Sequence, residues 1–167
     1  MLVYRIPAGW TAEPNGSHLP STGHAILFKT SGVNSEFTSM SIEQMTLPVN
    51  RSLTEVADRD LRELLRTASF ATLVQREEIC TPSFSMLLQD MDFIPMERQA
   101  VRRFARIGFY LLRRTEGAEG MRELAVATLT TACDSIVTFA DAFKELAYSL
   151  DFGISTSGVP DSPCGAC

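Results

Sequence analysis

Residues 121–152, MRELAVATLTTACDSIVTFADAFKELAYSLDF, carry the strongest indication of the fold. The second half of this stretch places apolar residues three and four positions apart, which aligns them on one side of a helix. These residues are Ile136, Phe139, Ala140, Phe143, Leu146, Ala147 and Leu150. Its first half contains the β-favouring residues Val126, Thr128, Leu129 and Thr130. The stretch therefore predicts a final strand followed by a final helix that covers a sheet.

A second helix is predicted from Leu53 to Thr67. Ser52-Leu53-Thr54-Glu55 has the pattern of a capping box, in which Ser52 accepts a hydrogen bond from the Glu55 amide and the Glu55 side chain reaches back. Apolar residues then follow at helical spacing. They are Leu53, Val56, Ala57, Leu61, Leu64, Leu65 and Ala68.

Three strands are predicted before this helix, at Leu2–Ile6, Ala25–Thr30 and Glu36–Leu47. In the third strand Met40 and Ile42 share one face, whereas Met45 and Leu47 fall on the other. This change of face predicts a bulge, or a crossing of the core, near Glu43.

Four more strands are predicted after the helix, at Ala71–Ile79, Ser83–Phe93, Arg98–Arg114 and Met121–Cys133. The third of these segments also fits a helix, but its alternating apolar residues and the Gly-bounded turn after it favour a strand. The predicted fold is α+β, with a single antiparallel sheet of about six to seven strands and two long helices. Residues 1–152 are expected to form one domain, followed by a flexible tail at 153–167.

The charge and the apolar content limit the kinds of partner. The formal net charge of −5 argues against general nucleic-acid binding, which needs a basic surface. The start of the chain lacks a signal-peptide pattern, and no window reaches the roughly 18 apolar residues of a membrane span. We therefore expect a cytoplasmic protein without membrane insertion. In that compartment Cys80 and Cys133, which lie in apolar runs, are expected to be reduced and buried.

No residue pattern indicates catalysis. His18 and His24 are the only histidines, and both lie in or beside a loop rich in Gly, Pro and Ser. Asp90 and Asp92 share a face of a predicted strand, which allows an acid–base pair but also fits the exposed end of a strand. We expect a protein that is not an enzyme and has no catalytic residues.

Cofactor and metal sites are not expected either. Phosphate-binding glycine loops are absent from the sequence. Cys164 and Cys167 have the C-x2-C spacing that suits zinc, but a second pair of ligands at comparable spacing is missing.

The predicted strands are apolar on both sides, with Phe84, Met86 and Leu88 on one face and Leu87, Met91 and Phe93 on the other. Helices on opposite sides would cover both faces, whereas two helices on one side would leave the other face free for a partner or a second subunit. Methionine makes adaptable apolar surfaces. The candidate partner-binding sheet face comprises Met40, Ile42, Phe84, Met86 and Leu88.

A charged surface is the alternative contact. Six arginines lie between residues 98 and 114, a segment that contains no acidic residue and directly follows Glu97. They form either a solvated strand face or a contact for an acidic partner. The candidate residues are Arg98, Arg102, Arg103 and Arg106.

Three segments resemble the DcrB-related group of the PsbP/Mog-like fold: YRIPAGW (4–10), SLTEVADRDLRELL (52–65) and VATLTTACDSIVTFADAFKELAYSLDF (126–152). The resemblance covers roughly residues 1–152 and implies a non-catalytic binding protein. Cytosolic members similar to this chain are Eag-type chaperones of type VI secretion, which shield the transmembrane helices of effectors, commonly as dimers. Individual client-binding residues of those chaperones are not matched here.

The resemblance implies a cytosolic adaptor or chaperone that shields an apolar segment of a type VI secretion effector and that can form a homodimer. The alternative is an immunity or inhibitor protein that binds and blocks a toxin domain through its charged surface.

Overall fold

A computed structural model of the protein describes residues 2–13, 24–32, 35–96, 102–113 and 120–153. Within these ranges one antiparallel sheet contains seven strands: β1 (Trp10–Glu13), β2 (His24–Thr30), β3 (Ser39–Pro48), β4 (Ala68–Cys80), β5 (Phe84–Pro95), β6 (Phe104–Arg113) and β7 (Met121–Ala132). Two helices accompany it: α1 (Leu53–Thr67) and α2 (Ile136–Tyr148). The strand order across the sheet is β1-β2-β3-β7-β6-β5-β4. The predicted fold class, an α+β protein with a single antiparallel sheet and two helices, is confirmed.

Helix α1 begins and ends where its sequence predicts. The Glu55 amide donates to Oγ of Ser52 over 3.2 Å, and the Ser52 amide donates to Oε2 of Glu55 over 2.9 Å. This capping box satisfies amides at the helix start that have no partner within the helix. Ala68, with φ −113° and ψ 148°, turns the chain directly into β4.

The two helices lie on opposite faces of the sheet, called here the α1 face and the α2 face. On the α2 face Phe139, Phe143 and Leu146 pack against residues of β3, β6 and β7. On the α1 face Leu53, Val56 and Ala57 form a second apolar cluster with residues of the sheet. The sheet residues of that second cluster are Leu47, Leu87, Tyr110, Leu112, Leu124 and Val126. Both faces of the central strands are therefore covered, which explains why those strands are apolar on both sides.

Strand β3 runs without a bulge, so of the two alternatives predicted near Glu43 the bulge is wrong and the crossing from one core to the other remains. Its pairing with β7 is continuous from Ser39 to Pro48. Because side chains alternate along a strand, Met40 and Ile42 face α2 while Met45 and Leu47 face α1. Different helices cover the two ends of β3. The apolar residues of this strand therefore lie on the α2 face at its start and on the α1 face at its end.

The predicted first strand is also wrong. Residues 2–6 form a single bridge, in which Val3 and Asp151 exchange backbone hydrogen bonds of 2.7 and 2.9 Å. The first strand of the sheet is instead Trp10–Glu13. The predicted strand at Glu36 begins three residues later, at Ser39, because Ser35–Phe37 forms a 3-10 turn.

The four strands after α1 form the predicted meander, and residues 104–113, which also fit a helix, are a strand. This meander places β4, a strand of 13 residues, at one edge of the sheet. Its pairing with β5 shifts between Leu73 and Gln75, which leaves Val74 in a bulge. Cys80, at the end of β4, is exposed and Cys133 is half-buried, so the expectation that both are buried is wrong.

Candidate partner-binding surface

The structure divides the predicted partner-binding face into two parts. Met40 and Ile42 are fully buried in the core beneath α2, so the prediction that they are accessible is wrong. Phe84, Met86 and Leu88 lie on the same face but are only half-buried, at the margin of that core. The accessible part of the predicted face is therefore its β5 part.

The width of the sheet explains why the α2 face is incompletely covered. Seven strands about 4.8 Å apart span roughly 29 Å, whereas a helix with its side chains is about 10–12 Å wide. The contacts of α2 with the sheet are chiefly with β7, near the middle. Strand β5 therefore lies at the margin of the area that α2 covers on this face, and β4 lies farther out, at the edge of the sheet.

An apolar surface occupies the uncovered region. We define the β4–β5 surface as Ile79, Phe84, Met86, Leu88 and Tyr148. Ile79 pairs with Met86 in the β4–β5 ladder and is 50% exposed, and Tyr148 at the end of α2 is 71% exposed. The ring of Phe84 stacks on Phe152, with centroids 6.3 Å apart. Aromatic packing thus fixes the floor of this surface while Ile79 and Tyr148 border it.

A small cavity of about 120 Å³ lies between this surface and α2. The residues lining it are Leu88, Asp90, Ile107, Phe109, Ala140, Phe143, Lys144, Ala147 and Tyr148. The sequence did not indicate Lys144 or Tyr148, because helical periodicity alone does not show which polar side chains border an opening at the edge of a sheet.

Asp90 and Asp92 share the α2 face, as alternation predicts, but their surroundings differ. Asp92 accepts a hydrogen bond from Arg103 over 2.8 Å and lies 3.8 Å from Sγ of Cys133. Oδ1 of Asp90 is buried and has no hydrogen-bond partner among the described residues. Burial raises the pKa of Asp90, and the negative charge of Asp92 raises that pKa further.

The predicted charged contact is partly neutralised within the chain. Arg102 lies 3.4 Å from the Asp134 carboxylate and above the ring of Phe37, and Arg103 pairs with Asp92. Arg106 faces α1, because it alternates in register with the α1-face residues of β6. Arg98 lies outside the described residues.

The α1 face carries a polar network beside its core. Tyr110 donates a hydrogen bond of 2.7 Å to Asp60, which ties β6 to α1. Burial raises the pKa of Glu43, Asp60 raises it further, and Arg106 and Arg59 lower it. Next to this network a cleft of about 580 Å³ separates α1 from the end of β3. Its basic lining residues are Arg51, Arg59 and Arg62, of which Arg51 pairs with Glu55 at 3.4 Å.

Metal and membrane signals are not found in the part of the chain that the structure describes. There, no group of three or more His, Cys, Asp or Glu side chains is arranged around a common point that could hold an ion. Neither described helix is long and apolar enough to span a bilayer. Cys164, Cys167 and His18 lie outside the described residues.

No family model and no curated protein matches this sequence. Solved structures do match it. LpqN, involved in cell envelope biogenesis of Mycobacterium tuberculosis, superposes with a TM-score of 0.62 at 12% identity, over 89% of this chain and 81% of LpqN. Cyanobacterial PsbP (CyanoP) from Synechocystis gives a TM-score of 0.60 at 16% identity, over 90% and 85%. The Ran-binding protein Mog1p from Saccharomyces cerevisiae gives 0.53 at 12% identity, over 90% and 89%.

The fold is that of PsbP and Mog1p. At these identities the superpositions establish the PsbP/Mog1 fold alone, and the function has to be argued from the surface of this chain.

Proposed function

We propose that this protein is a non-enzymatic binding protein that holds an apolar segment of a protein partner on the β4–β5 surface. In the cell it would act as a cytosolic adaptor or chaperone that shields such a segment of a type VI secretion effector. The observation that carries the proposal is the apolar surface at the β4–β5 end of the sheet, which α2 covers only in part.

The chemistry of this surface suits an apolar partner. Met86 and Leu88 form a flexible apolar floor, and the exposed Ile79 and Tyr148 offer area that contact with a partner would remove from water. Burial of apolar surface is worth roughly 25 cal/mol per Å². Methionine adapts its side chain to differently shaped ligands, which is useful to a protein that shields more than one sequence.

The edge of β4 adds further exposed apolar residues. Phe70, Leu73 and Val74 are all exposed along this strand. Phe70 pairs with Ile94 on the α2 face, whereas Leu73 pairs with Met91 and lies on the α1 face. The bulge at Val74 interrupts the backbone ladder, and edge bulges of this kind hinder the continuous addition of another strand. Contact through side chains is therefore favoured over extension of the sheet.

Two further points support the proposal. Mog1p, which shares this fold, is a Ran-binding protein, so the fold is compatible with binding another protein. The link to type VI secretion comes from the resemblance of residues 4–10, 52–65 and 126–152 to the DcrB-related group, whose cytosolic members similar to this chain are Eag-type chaperones. That resemblance also implies a homodimer, for which sedimentation at several protein concentrations is the direct measurement.

A matched pair of variants tests the proposal. Ile79 and Leu65 are 50% and 49% exposed, but Ile79 belongs to the β4–β5 surface whereas Leu65 lies on the outer side of α1. Ile79→Asp and Leu65→Asp therefore remove similar exposed area and add the same charge. Each is expected to lower the free energy of unfolding by roughly 1 kcal/mol, because aspartate is unfavourable both in a strand and in the last turn of a helix.

The assay is affinity capture from lysate of the native host, with mass spectrometry, in buffer, in mild detergent and in high salt. We expect the wild type and Leu65→Asp to retain a protein with an apolar segment, and Ile79→Asp and detergent to release it. Equal capture by both variants would contradict the proposal. Capture of a toxin domain that is released by salt and by Arg106→Glu would replace it with the inhibitor function.

A further inference from the structure

Oδ1 of Asp90 is a buried carboxylate oxygen without a hydrogen-bond partner among the described residues. Buried polar atoms in folded proteins are nearly always paired, because an unpaired one loses its hydration without compensation. Strand β5 nevertheless places Asp90 on the α2 face, two residues beyond Leu88 of the β4–β5 surface. This acceptor is therefore available to a hydrogen-bond donor from outside the described residues.

The cavity at Asp90 has the size of one side chain. Its volume is about 120 Å³, the share of about four water molecules in liquid water at ~30 Å³ each. Small-molecule sites usually measure about 300–1,000 Å³. Apart from Asp90 and Lys144, its lining is apolar or aromatic, and Leu88 and Tyr148 connect it to the β4–β5 surface.

The charges around the cavity favour a cation. Asp92 adds negative potential, although Arg103 holds its carboxylate at 2.8 Å. Lys144 also lines the cavity, but its ammonium group lies 3.8 Å from Asp141 and is largely exposed. A long basic side chain can pack its methylene groups on the apolar wall and place its charged end at Asp90. A hydrogen bond between two charged groups is about twice as strong as a neutral one.

We propose that the partner segment carries a lysine or arginine whose side chain enters this cavity and donates a hydrogen bond to Asp90. The inference rests on the proposed function, because it takes the β4–β5 surface as the binding site. It adds that the partner segment is not uniformly apolar and that one basic residue sets its register on the surface.

The test uses four fluorescently labelled 14-residue peptides that are rich in leucine and alanine and differ only at a central residue: lysine, arginine, methionine or glutamate. Each is titrated by fluorescence anisotropy with the full chain as wild type, Asp90→Asn, Ile79→Asp and Glu145→Gln. Glu145 is an exposed acid on α2 that does not line the cavity, so Glu145→Gln is the matched control.

The lysine and arginine peptides are expected to bind the wild type about tenfold more tightly than the methionine peptide, as one charge-assisted hydrogen bond allows. This preference is expected to disappear in Asp90→Asn and to persist in Glu145→Gln. Lys144→Met removes a like charge from the cavity and is expected to tighten binding of the lysine peptide.

Three outcomes would overturn the inference. If the wild type binds the lysine and methionine peptides equally and Ile79→Asp weakens both, the inference fails while the proposed function stands. A lysine preference that survives Asp90→Asn also refutes the inference alone. If the wild type binds none of the four peptides, both the inference and the proposed function fail.

Discussion

Gly108 leaves the space that the ring of Tyr110 occupies on the α1 face. A Cβ atom added at Gly108 would lie 2.9 Å from both Cε2 and the hydroxyl oxygen of Tyr110, and 3.1 Å from its Cζ. The Tyr110 ring has little room to move away from this clash, because it is 1% exposed and its hydroxyl donates a hydrogen bond to Asp60 over 2.7 Å. Gly108→Ala is therefore expected to displace the Tyr110 ring and to break its hydrogen bond to Asp60, which links β6 to α1.

The cost follows from three contributions. Overpacking of a core by a methyl group costs typically 1–3 kcal/mol. Loss of a hydrogen bond to a charged group costs about 1.5–3 kcal/mol. Alanine recovers roughly 0.5–1 kcal/mol relative to glycine within a strand. Together these figures predict that Gly108→Ala lowers the free energy of unfolding by about 1.5–5.5 kcal/mol.

Urea unfolding followed by circular dichroism measures this cost, with Tyr110→Phe and the double variant completing a cycle. Because the hydrogen bond to Asp60 can be lost only once, the double variant is expected to cost less than the sum of the single variants. A Gly108→Ala protein within 0.5 kcal/mol of the wild type, or strictly additive costs, would refute the proposed coupling of Gly108 to Tyr110.

Three further predictions concern other elements. Ser52→Ala removes the side-chain half of the capping box and is expected to cost about 1 kcal/mol in urea unfolding, whereas no loss would mean that the cap is replaced by water. Leu146→Ala empties a fully buried site and is expected to cost about 2–5 kcal/mol, while Val137→Ala, at 84% exposure on the same helix, is expected to change stability by less than about 0.5 kcal/mol. Burial raises the pKa of Glu43 above its ordinary value of 4.5, so ionisation of this side chain disfavours the folded state. Glu43→Gln is therefore expected to be more stable than the wild type at pH 7 and to lose that advantage as the pH falls through the raised pKa towards 4.5, and a constant difference between pH 7 and 4.5 would contradict this prediction.

The elements that were predicted most closely are those with local signals. The capping box at Ser52 and the apolar spacing after it located α1 to the residue. Alternation of Ile107, Phe109 and Leu111 identified β6 as a strand despite its helical pattern. Residues 2–6 contain β-favouring residues, which is why a strand is predicted there. In the structure only Val3 of this segment has a bridge partner, Asp151, which is far away in the sequence.

The binding surface was predicted only in part. Alternation placed Phe84, Met86 and Leu88 together on one face of β5, which the structure confirms. It also grouped them with Met40 and Ile42, which α2 covers. The sequence could not show that Oδ1 of Asp90 lacks a hydrogen-bond partner. That property depends on tertiary contacts: Arg103 pairs with Asp92 rather than with Asp90, and α2 ends near Tyr148.

The amino-acid sequence was enough to predict the type of most main elements and the order of the strands in the meander, whereas it left open whether the helices cover one face of the sheet or both. These properties follow from backbone periodicity and capping, which act over a few residues. Only the tertiary structure decided which strands each helix covers, and hence which apolar residues stay accessible. That choice depends on contacts between residues far apart in the chain: β3 pairs with β7 across some eighty residues, and this pairing brings Met40 beneath α2 while leaving β4 and β5 at an uncovered edge.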